Sequence, residues 1–325
     1  KLNVYADEIL VCFASMQLER PVRWTETRRE AAFSSTHGRG WIGTATITGT
    51  REGKILGYEL DAIVDLGAYS QNFTAATPLL GLFVAPGQYD IPTSVALHCV
   101  VTNTQTTDAY RGAGRPETAY YLERIVDAYA REIGVDPAVV RKANYWKPEQ
   151  FPVTTQIGLT MDTGDYETNL DALLDRVGYE DLKAKRDAAR AEGRLLGIGL
   201  SSYAEVCGFG PSALAGLGFS WAGYGLPAAF NGSGVVRVQP DGTCTVSIGT
   251  GPTGQGHETT WAQIVSDGLG IPMDDIEVQH GDSLDSPMGV GSFGSRSLAV
   301  DGSATYEATQ RVKEKAAMIA GNLLE

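Results

Sequence analysis

The residues best suited to chemistry lie between Gly249 and Ser297, on two glycine-rich loops that each precede a segment of helical periodicity. The first, Gly249 to Gly256, leads into Trp261, Ile264, Val265 and Leu269, spaced as one helix face. The second, Gly289 to Ser297, carries Ser292, Ser295, Arg296 and Ser297 ahead of a helical pattern from Ala299 to Leu324. Glycine lets backbone approach a ligand closely, and a helix start offers unpaired N–H groups at the positive end of its dipole. Either loop alone reads as an ordinary tight turn. The pair points to a large anionic ligand held by backbone and hydroxyl donors. A third loop, AYRGAGRPE at Ala109 to Glu117, carries Arg111 and Arg115. Its spacing fits a binding loop and a surface turn with two solvated arginines equally well.

The elements that must position these loops follow from period and punctuation. A helix is expected over Asp7–Leu18, with Asp7 as N-cap and Ile9, Leu10, Phe13 and Met16 facing a core. PVRWTET alternates like a strand. WIGTATITGT and KILGYELDAIVDLGAY form two strands joined at Arg51-Glu52-Gly53. A polar passage runs to Pro92, and LHCVVTNT reads as a buried strand feeding the arginine loop. Pro116 suits the first helical position, Leu122, Ile125, Val126, Tyr129 and Ile133 mark one face, and Gly134 closes the helix. Two charged helices, YETNLDALLDRVG and YEDLKAKRDAARAEG, follow a stretch of weak periodicity. RLLGIGLSSYAEV reads as a strand, the run from Gly208 to Gly234 as a glycine-rich excursion, and VVRVQPDGTCTVSIG as a hairpin turning at Pro240-Asp241-Gly242. The elements do not repeat as regular βαβ units, so the fold class is α+β in two halves, with mixed sheets and packed helices. The expected division is residues 1–146, a linker at 147–165, and residues 166–325.

Bulk properties narrow the function. A formal net charge of −13 excludes nucleic acid and anionic membrane surfaces as natural partners, because both select basic patches. No apolar run approaches the roughly 20 residues of a membrane span, and KLNVYADEIL lacks the features of a signal peptide. The cysteines (Cys12, Cys99, Cys207, Cys244) form no C-x-x-C pair, and no two histidines are spaced i, i+4. A reduced, cytoplasmic chain without its own zinc or iron–sulfur site is therefore expected. Glycine, at 39 of 325 residues, exceeds the usual share of about 7%.

Gly249-Thr-Gly251-Pro-Thr-Gly254 matches the dinucleotide fingerprint, and Asp274 follows about 20 residues after the last glycine. Three features oppose it. The preceding strand is the second arm of a hairpin, Pro252 removes a backbone donor, and helical pattern resumes only after Gly256. No P-loop motif is present.

Taken together, RPVRWTETRRE at Arg20, GAY at Gly67, TNT at Thr102, AYRGAGRPE at Ala109, TGQGHETTWAQI at Thr253 and GSFGSRS at Gly291 resemble the molybdenum hydroxylases. These are the xanthine dehydrogenase and aerobic carbon monoxide dehydrogenase superfamily, and the likeness is to their molybdopterin-binding large subunit. It spans essentially the whole chain. It implies two molybdopterin-binding domains of a subunit more than twice this length. Lys1 would then be the last residue of a glycine–phenylalanine loop, and the family's glutamate base would lie beyond Glu325.

The resemblance implies a molybdenum ion on a pyranopterin dithiolene, in the cytosine dinucleotide form, with no direct protein ligand to the metal. Arg111 and Gln255 would act beside the metal. Tyr110, Arg111, Gly112, Ala113, Gly254, Gln255, Gly256, Gly294, Ser295, Arg296 and Ser297 would bind the cofactor, Arg111 and Gly294 lying nearest the metal. Electrons would leave through 2Fe-2S clusters and FAD on a small and a medium partner subunit, in a dimer of heterotrimers. Departures narrow the small-molecule substrate. Carbon monoxide dehydrogenases proper carry a copper-linking cysteine in the arginine loop, whereas this loop is Arg111-Gly112-Ala113-Gly114. Three purine-recognising positions of xanthine dehydrogenases fall at Leu2, near Leu80 and at Ala113. An aldehyde or an N-heterocycle remains. A non-catalytic assembly module of the same fold, and a nicotinamide-dependent dehydrogenase, are the competing readings.

Overall fold

The computed structural model describes residues 5–208, 210 and 231–324. Lys1, Leu2, Glu325 and most of the glycine-rich excursion after Gly208 lie outside the described residues. The chain divides into two compact units, Lys1–Glu205 and Val206–Glu325. Both are α+β, and each holds one three-stranded mixed sheet.

In the first unit β1 (Trp41–Gly49) and β2 (Ile55–Asp65) form the expected antiparallel hairpin, Trp41 opposite Val64. Tyr58, Leu60, Ala62 and Val64 of β2 are buried, while Glu59, Asp61 and Ile63 between them are exposed, the period-two signature of a half-buried strand. The chain then passes through a helix, Ala76–Phe83, to β3 (Thr93–Val100), which pairs parallel to β2. The arginine loop and a long helix, Arg115–Ile133, come next. That helix packs on β1, burying Leu122 and Val126. Gly134 closes it at φ 71°.

Two short strands, β4 (Val153–Thr154) and β5 (Thr160–Met161), pair antiparallel later in the first unit. The second unit repeats the order of hairpin, helix, parallel strand, loop and long helix. β6 (Gly234–Val238) and β7 (Cys244–Ile248) form the hairpin. The helix His257–Leu269 crosses to β8 (Ile276–Gln279), parallel to β7, and a second glycine loop leads to the helix Ser303–Leu324, which packs on β6. Trp261 and Val265 close the core over Cys244, Val246 and Ile248. In each unit the loops of interest thus follow the two parallel-paired strands at their C-terminal ends, where open sheets leave a crevice for ligands. In chain order we label the helices α1 (Ala6–Leu18), α2 (Arg28–Ser34), α3 (Ala76–Phe83), α4 (Arg115–Ile133), α5 (Pro137–Asn144), α6 (Tyr166–Val177), α7 (Tyr179–Ala191), α8 (His257–Leu269) and α9 (Ser303–Leu324).

Several expectations are corrected. Tyr5 caps α1, with its N–H donating to Glu8 Oε2 at 3.1 Å, and Asp7 lies in the first turn. The apolar face of α1 is exposed, with Met16 at 74%, so periodicity identified a face but not a partner. PVRWTET is irregular and ends at Thr27, whose hydroxyl oxygen accepts from the Glu30 N–H to start α2. Thr27-x-x-Glu30 is a capping box that marks this helix in the sequence. β3 begins at Thr93, ends at Val100 and is only half-buried. Pro116 occupies the second position of α4. Residues 194–206 form no strand; side chains hold this backbone instead, Arg141 on the Leu200 carbonyl and Glu123 on the Ser202 N–H. Parallel β7–α8–β8 is a βαβ unit, which removes one objection to the dinucleotide fingerprint. Pro252 and the late helix start at His257 still oppose it.

Candidate functional site

In the first unit the arginine loop is anchored from both sides. Asp65, at the end of β2, gathers the Gly67 N–H (2.8 Å) and the hydroxyls of Thr102 (2.7 Å) and Thr104 (2.9 Å). Burial raises the Asp65 carboxyl, but these donors outweigh it and hold it below the usual range. The same knot aligns residues 106–108 with His37, whose carbonyl accepts from the Asp108 N–H at 3.0 Å. Asp108 is buried, and its Oδ2 takes the Phe73 N–H at 3.0 Å, tying in the start of α3.

Beyond Asp108 the chain turns through three successive left-handed residues, Gly112 (φ 102°), Ala113 (φ 50°) and Gly114 (φ 86°). The Ala113 N–H donates to the Tyr110 carbonyl at 2.6 Å. There is no room for side chains at the glycines. A Cβ on Gly112 would sit 2.2 Å from Pro116 Cγ, and one on Gly114 would sit 2.1 Å from the Thr77 carbonyl oxygen. Ala113 is buried, Tyr110 and Arg111 are exposed, and the Arg111 guanidinium has no partner among the described residues.

In the second unit the two glycine loops start side by side. A Cβ on Gly289 would lie 2.1 Å from the Gly249 carbonyl oxygen, and one on Gly249 would lie 2.7 Å from the Gly289 Cα. Further out, Ser292 donates to the Gly251 carbonyl (2.8 Å) and Ser297 reaches Ser292 at 3.4 Å. Gly254 (φ 88°) and Gly256 (φ 74°) need glycine for their backbone, and no atom of the described residues would meet a Cβ there within 4 Å. Gln255 Oε1 accepts from the Thr253 N–H and, at 3.3 Å, from its hydroxyl, so the Gln255 NH2 remains as an exposed donor. Gly256 begins α8, whose first turn has no side-chain cap. The hydroxyl of Thr250 and Nδ1 of His257 are buried there without a partner among the described residues, and burial lowers the His257 pKa.

On the second loop, Gly294 (φ 59°) and Ser295 (φ 52°) are left-handed in succession. Arg296 is fully buried beneath them. Its Nη1 donates to the Gly291 carbonyl (2.9 Å) and approaches Asp301 Oδ2 (3.3 Å), and its Nη2 donates to Asn231 O (2.8 Å). Its side chain therefore holds the loop from within. Burial pushes the Asp301 carboxyl up to about 6, against the pull of Arg296.

The structure thus gathers Tyr110, Arg111, Gly112 and Ala113 on one loop of the first unit, and Gly254–Gly256 with Gly294–Ser297 on adjoining loops of the second. Asp65, Asp108 and Asp301, which set these loops in place, are not evident from spacing. The hydroxyls of Thr102 and Thr104 two residues apart are the only hint. Among the described residues no group of three or more His, Cys, Asp or Glu is arranged to hold a metal ion, and no helix is long and apolar enough to cross a membrane.

Residues 1–145 and residues 172–325 each match the molybdopterin cofactor-binding domain family. The carbon monoxide dehydrogenase large chain of Hydrogenophaga pseudoflava is 37% identical over all of this chain and 40% of its own length. The nicotine 6-hydroxylase large subunit of Paenarthrobacter nicotinovorans is 31% identical over all of this chain and 39% of its own. The crystal structure of quinoline 2-oxidoreductase from Pseudomonas putida 86 superposes with a TM-score of 0.80 at 33% identity, over 95% of this chain and 38% of that one. The chain therefore spans about 40% of the length of the relatives it matches.

Proposed function

This chain belongs to the molybdopterin-binding large subunits of the molybdenum hydroxylases, and on that premise we propose that it forms the cofactor-holding part of a molybdenum-dependent hydroxylase that oxidises an aldehyde or an N-heterocyclic carbon. One observation carries the reading. Gly254 and Gly256 adopt backbone that requires glycine, meet no atom of the described residues where a Cβ would stand, and adjoin an uncapped helix start and the exposed Gln255 amide. Glycines kept where the protein itself leaves room allow close approach of a ligand rich in acceptors.

The residues present fit molybdopterin. Gly254, Gln255, Gly256, Gly294, Ser295 and Ser297 offer neutral donors from two adjoining loops, Arg296 holds the second loop from below, and the partnerless Thr250 hydroxyl lies buried beneath the first. Tyr110, Arg111, Gly112 and Ala113 contribute the loop of the first unit. The chemistry that a bound molybdopterin supplies is two-electron oxidation with water as the oxygen source. The part of this chain is to bind, to orient and to stabilise charge. With molybdopterin bound, the second unit would offer it the Gln255 NH2, and the first unit's loop would offer the Gly112 N–H and the unpaired Arg111 cation, donors suited to polar groups of the cofactor and to developing negative charge. Gly294 is proposed as a second close neighbour of the metal.

The cytosine dinucleotide form, a cytoplasmic location, and electron transfer to an iron–sulfur and an FAD subunit in a dimer of heterotrimers complete the proposal. The words "large chain" and "large subunit" in the relatives' names support the existence of smaller partners. Carbon monoxide is not the proposed substrate, because Arg111-Gly112-Ala113-Gly114 contains no thiol.

The test is purification of the complete complex from molybdenum-replete cells, followed by metal analysis, acid release of the nucleotide and dye-reduction assays. Stoichiometric molybdenum without copper, released CMP, and turnover of an aldehyde or N-heterocycle but not of carbon monoxide are expected. A folded complex without molybdenum, or one carrying bound nicotinamide, overturns the reading.

A further inference from the structure

The arginine loop owes its shape to two arginines outside the set expected to act. Arg39 stands at φ 69°, a left-handed backbone that a non-glycine residue keeps only when its surroundings enforce it. The neighbouring Gly38 has no room for a Cβ, which would fall 2.7 Å from Tyr110 Cβ. The Arg39 side chain reaches across the loop in three ways. Nη2 donates to the Arg111 carbonyl at 2.5 Å, Nη1 pairs with the buried Glu117 at 2.8 Å, and the guanidinium lies over the Tyr110 ring, 5.0 Å from its centre. Arg115, itself buried, donates from Nε to the Gly112 carbonyl at 2.7 Å and pairs through Nη1 with Glu205 at 2.5 Å. Two successive carbonyls of one loop are thus each held by a guanidinium, and each guanidinium is fixed in turn by a carboxylate.

A trans peptide points its N–H opposite to its C=O. Holding the Arg111 carbonyl therefore fixes the direction of the Gly112 N–H, and holding the Gly112 carbonyl fixes that of the Ala113 N–H. The second of these is used inside the turn, on Tyr110 O. The first has no partner among the described residues, and neither has the Arg111 guanidinium. We propose that Arg39 and Arg115 are positioning residues: Arg39, on the Arg111 carbonyl, aims the Gly112 N–H at the anionic group of the bound ligand, and Arg115, on the Gly112 carbonyl, holds the turn from which that N–H and the Arg111 side chain project. This rests on the function proposed above for the same loop.

The test uses Arg39→Lys and Arg115→Lys in the complete complex. Lysine keeps the charge opposite Glu117 or Glu205 but brings one nitrogen in place of the fork, so the carbonyl is released while the ion pair remains. Amide hydrogen exchange across residues 110–114 is expected to quicken about tenfold or more in both variants. Circular dichroism and molybdenum content should be unchanged, and kcat should fall about tenfold at unaltered KM. In Arg39→Ala, added guanidinium ion should restore both exchange and kcat, since Arg39 is partly exposed. Unchanged exchange in both lysine variants overturns the clamp, whatever the activity. Faster exchange with wild-type kcat overturns its role in the reaction. Faster exchange in a folded complex that holds no molybdenum leaves the clamp standing and refutes the proposed function.

Discussion

The two units share one plan of hairpin, crossover helix, parallel strand, loop and long helix, yet they treat their loops in opposite ways. In the first unit the glycines of the arginine loop are dictated by protein. Gly112 and Gly114 would each drive a Cβ into Pro116 or Thr77, and the neighbouring carbonyls are clamped by side chains. In the second unit Gly254, Gly256 and Gly291 have left-handed backbone but no atom of the described residues within 4 Å of where a Cβ would stand. The first is a wall whose shape is set by protein contacts. The second is tight only at its root, where Gly249 meets Gly289, and opens outward. Similar glycine content thus serves rigidity in one place and access in the other.

The sharpest way to break this comparison is to add one methyl to each loop. Gly114→Ala combines overpacking against Thr77 with a left-handed alanine, and it should destabilise the first unit by about 3–5 kcal/mol, measured by urea unfolding. If Gly114→Ala is tolerated, the wall is not close-packed and the contrast fails. The buried ion network behind the wall should be nearly as sensitive. Glu123 accepts from Arg141 Nε (2.9 Å), from the Ser202 N–H (2.7 Å) and from the Tyr89 hydroxyl (2.5 Å). Glu123→Gln leaves Arg141 buried with Asp127 as its remaining anion, so a loss of about 3 kcal/mol is expected by the same measurement.

That network also explains what could and could not be read from the chain. Residues 194–206 look like a strand because apolar and polar residues alternate. A strand, however, needs a neighbour to satisfy its backbone. Here Arg141 takes the Leu200 carbonyl, Glu123 takes the Ser202 N–H and Arg115 takes Glu205, all from distant sequence. The apolar face of α1 raised the same difficulty, since a stripe of Ile9, Phe13 and Met16 says nothing about what covers it. Local signals served better. The turn at Arg51–Gly53, the stop at Gly134 and the hairpin at Pro240–Gly242 all stand where turn chemistry placed them, and the Thr27 to Glu30 capping box was present to be read. The three candidate loops were legible as glycine-rich joints between strand and helix. Of the residues that shape them, Arg115 was visible as a loop arginine, whereas Arg39, Asp65 and Asp108 were not, because most of their partners lie far away in sequence.

A methyl in the open loop should behave differently from one in the wall. Gly254→Ala pays only the left-handed backbone, about 1–2 kcal/mol, and the complex should fold with unchanged circular dichroism. Its effect should appear in retention of the cofactor, with the dissociation constant rising about tenfold, and molybdenum content falling with it, if a lost close approach weakens binding by about 1.4 kcal/mol. Wild-type molybdenum content in folded Gly254→Ala would mean that the open space at Gly254 is not where the ligand sits.

The smallest effect concerns the pH response of the open loop's root. Asp301 is fully buried beside Arg296, and burial raises its carboxyl to about 6 despite that cation. A carboxyl whose folded pKa is raised above its unfolded value binds its proton more tightly in the native state. Its contribution to stability is therefore fully present below the unfolded value, near 3.8, and is lost as pH rises through about 6. Asp301→Asn removes the titration while keeping a hydrogen-bonding group of the same shape. The difference in urea midpoint between the natural chain and Asp301→Asn should shift in favour of the natural chain as pH falls from 7 to 5. It should be flat in a control at Asp241, whose carboxyl is exposed and lies below the usual range through its bonds to Thr243. A flat difference at Asp301 as well would mean that Arg296 keeps this carboxylate charged across that range. The root of the open loop would then be held as permanently by ion pairing as the wall is held by Arg39 and Arg115.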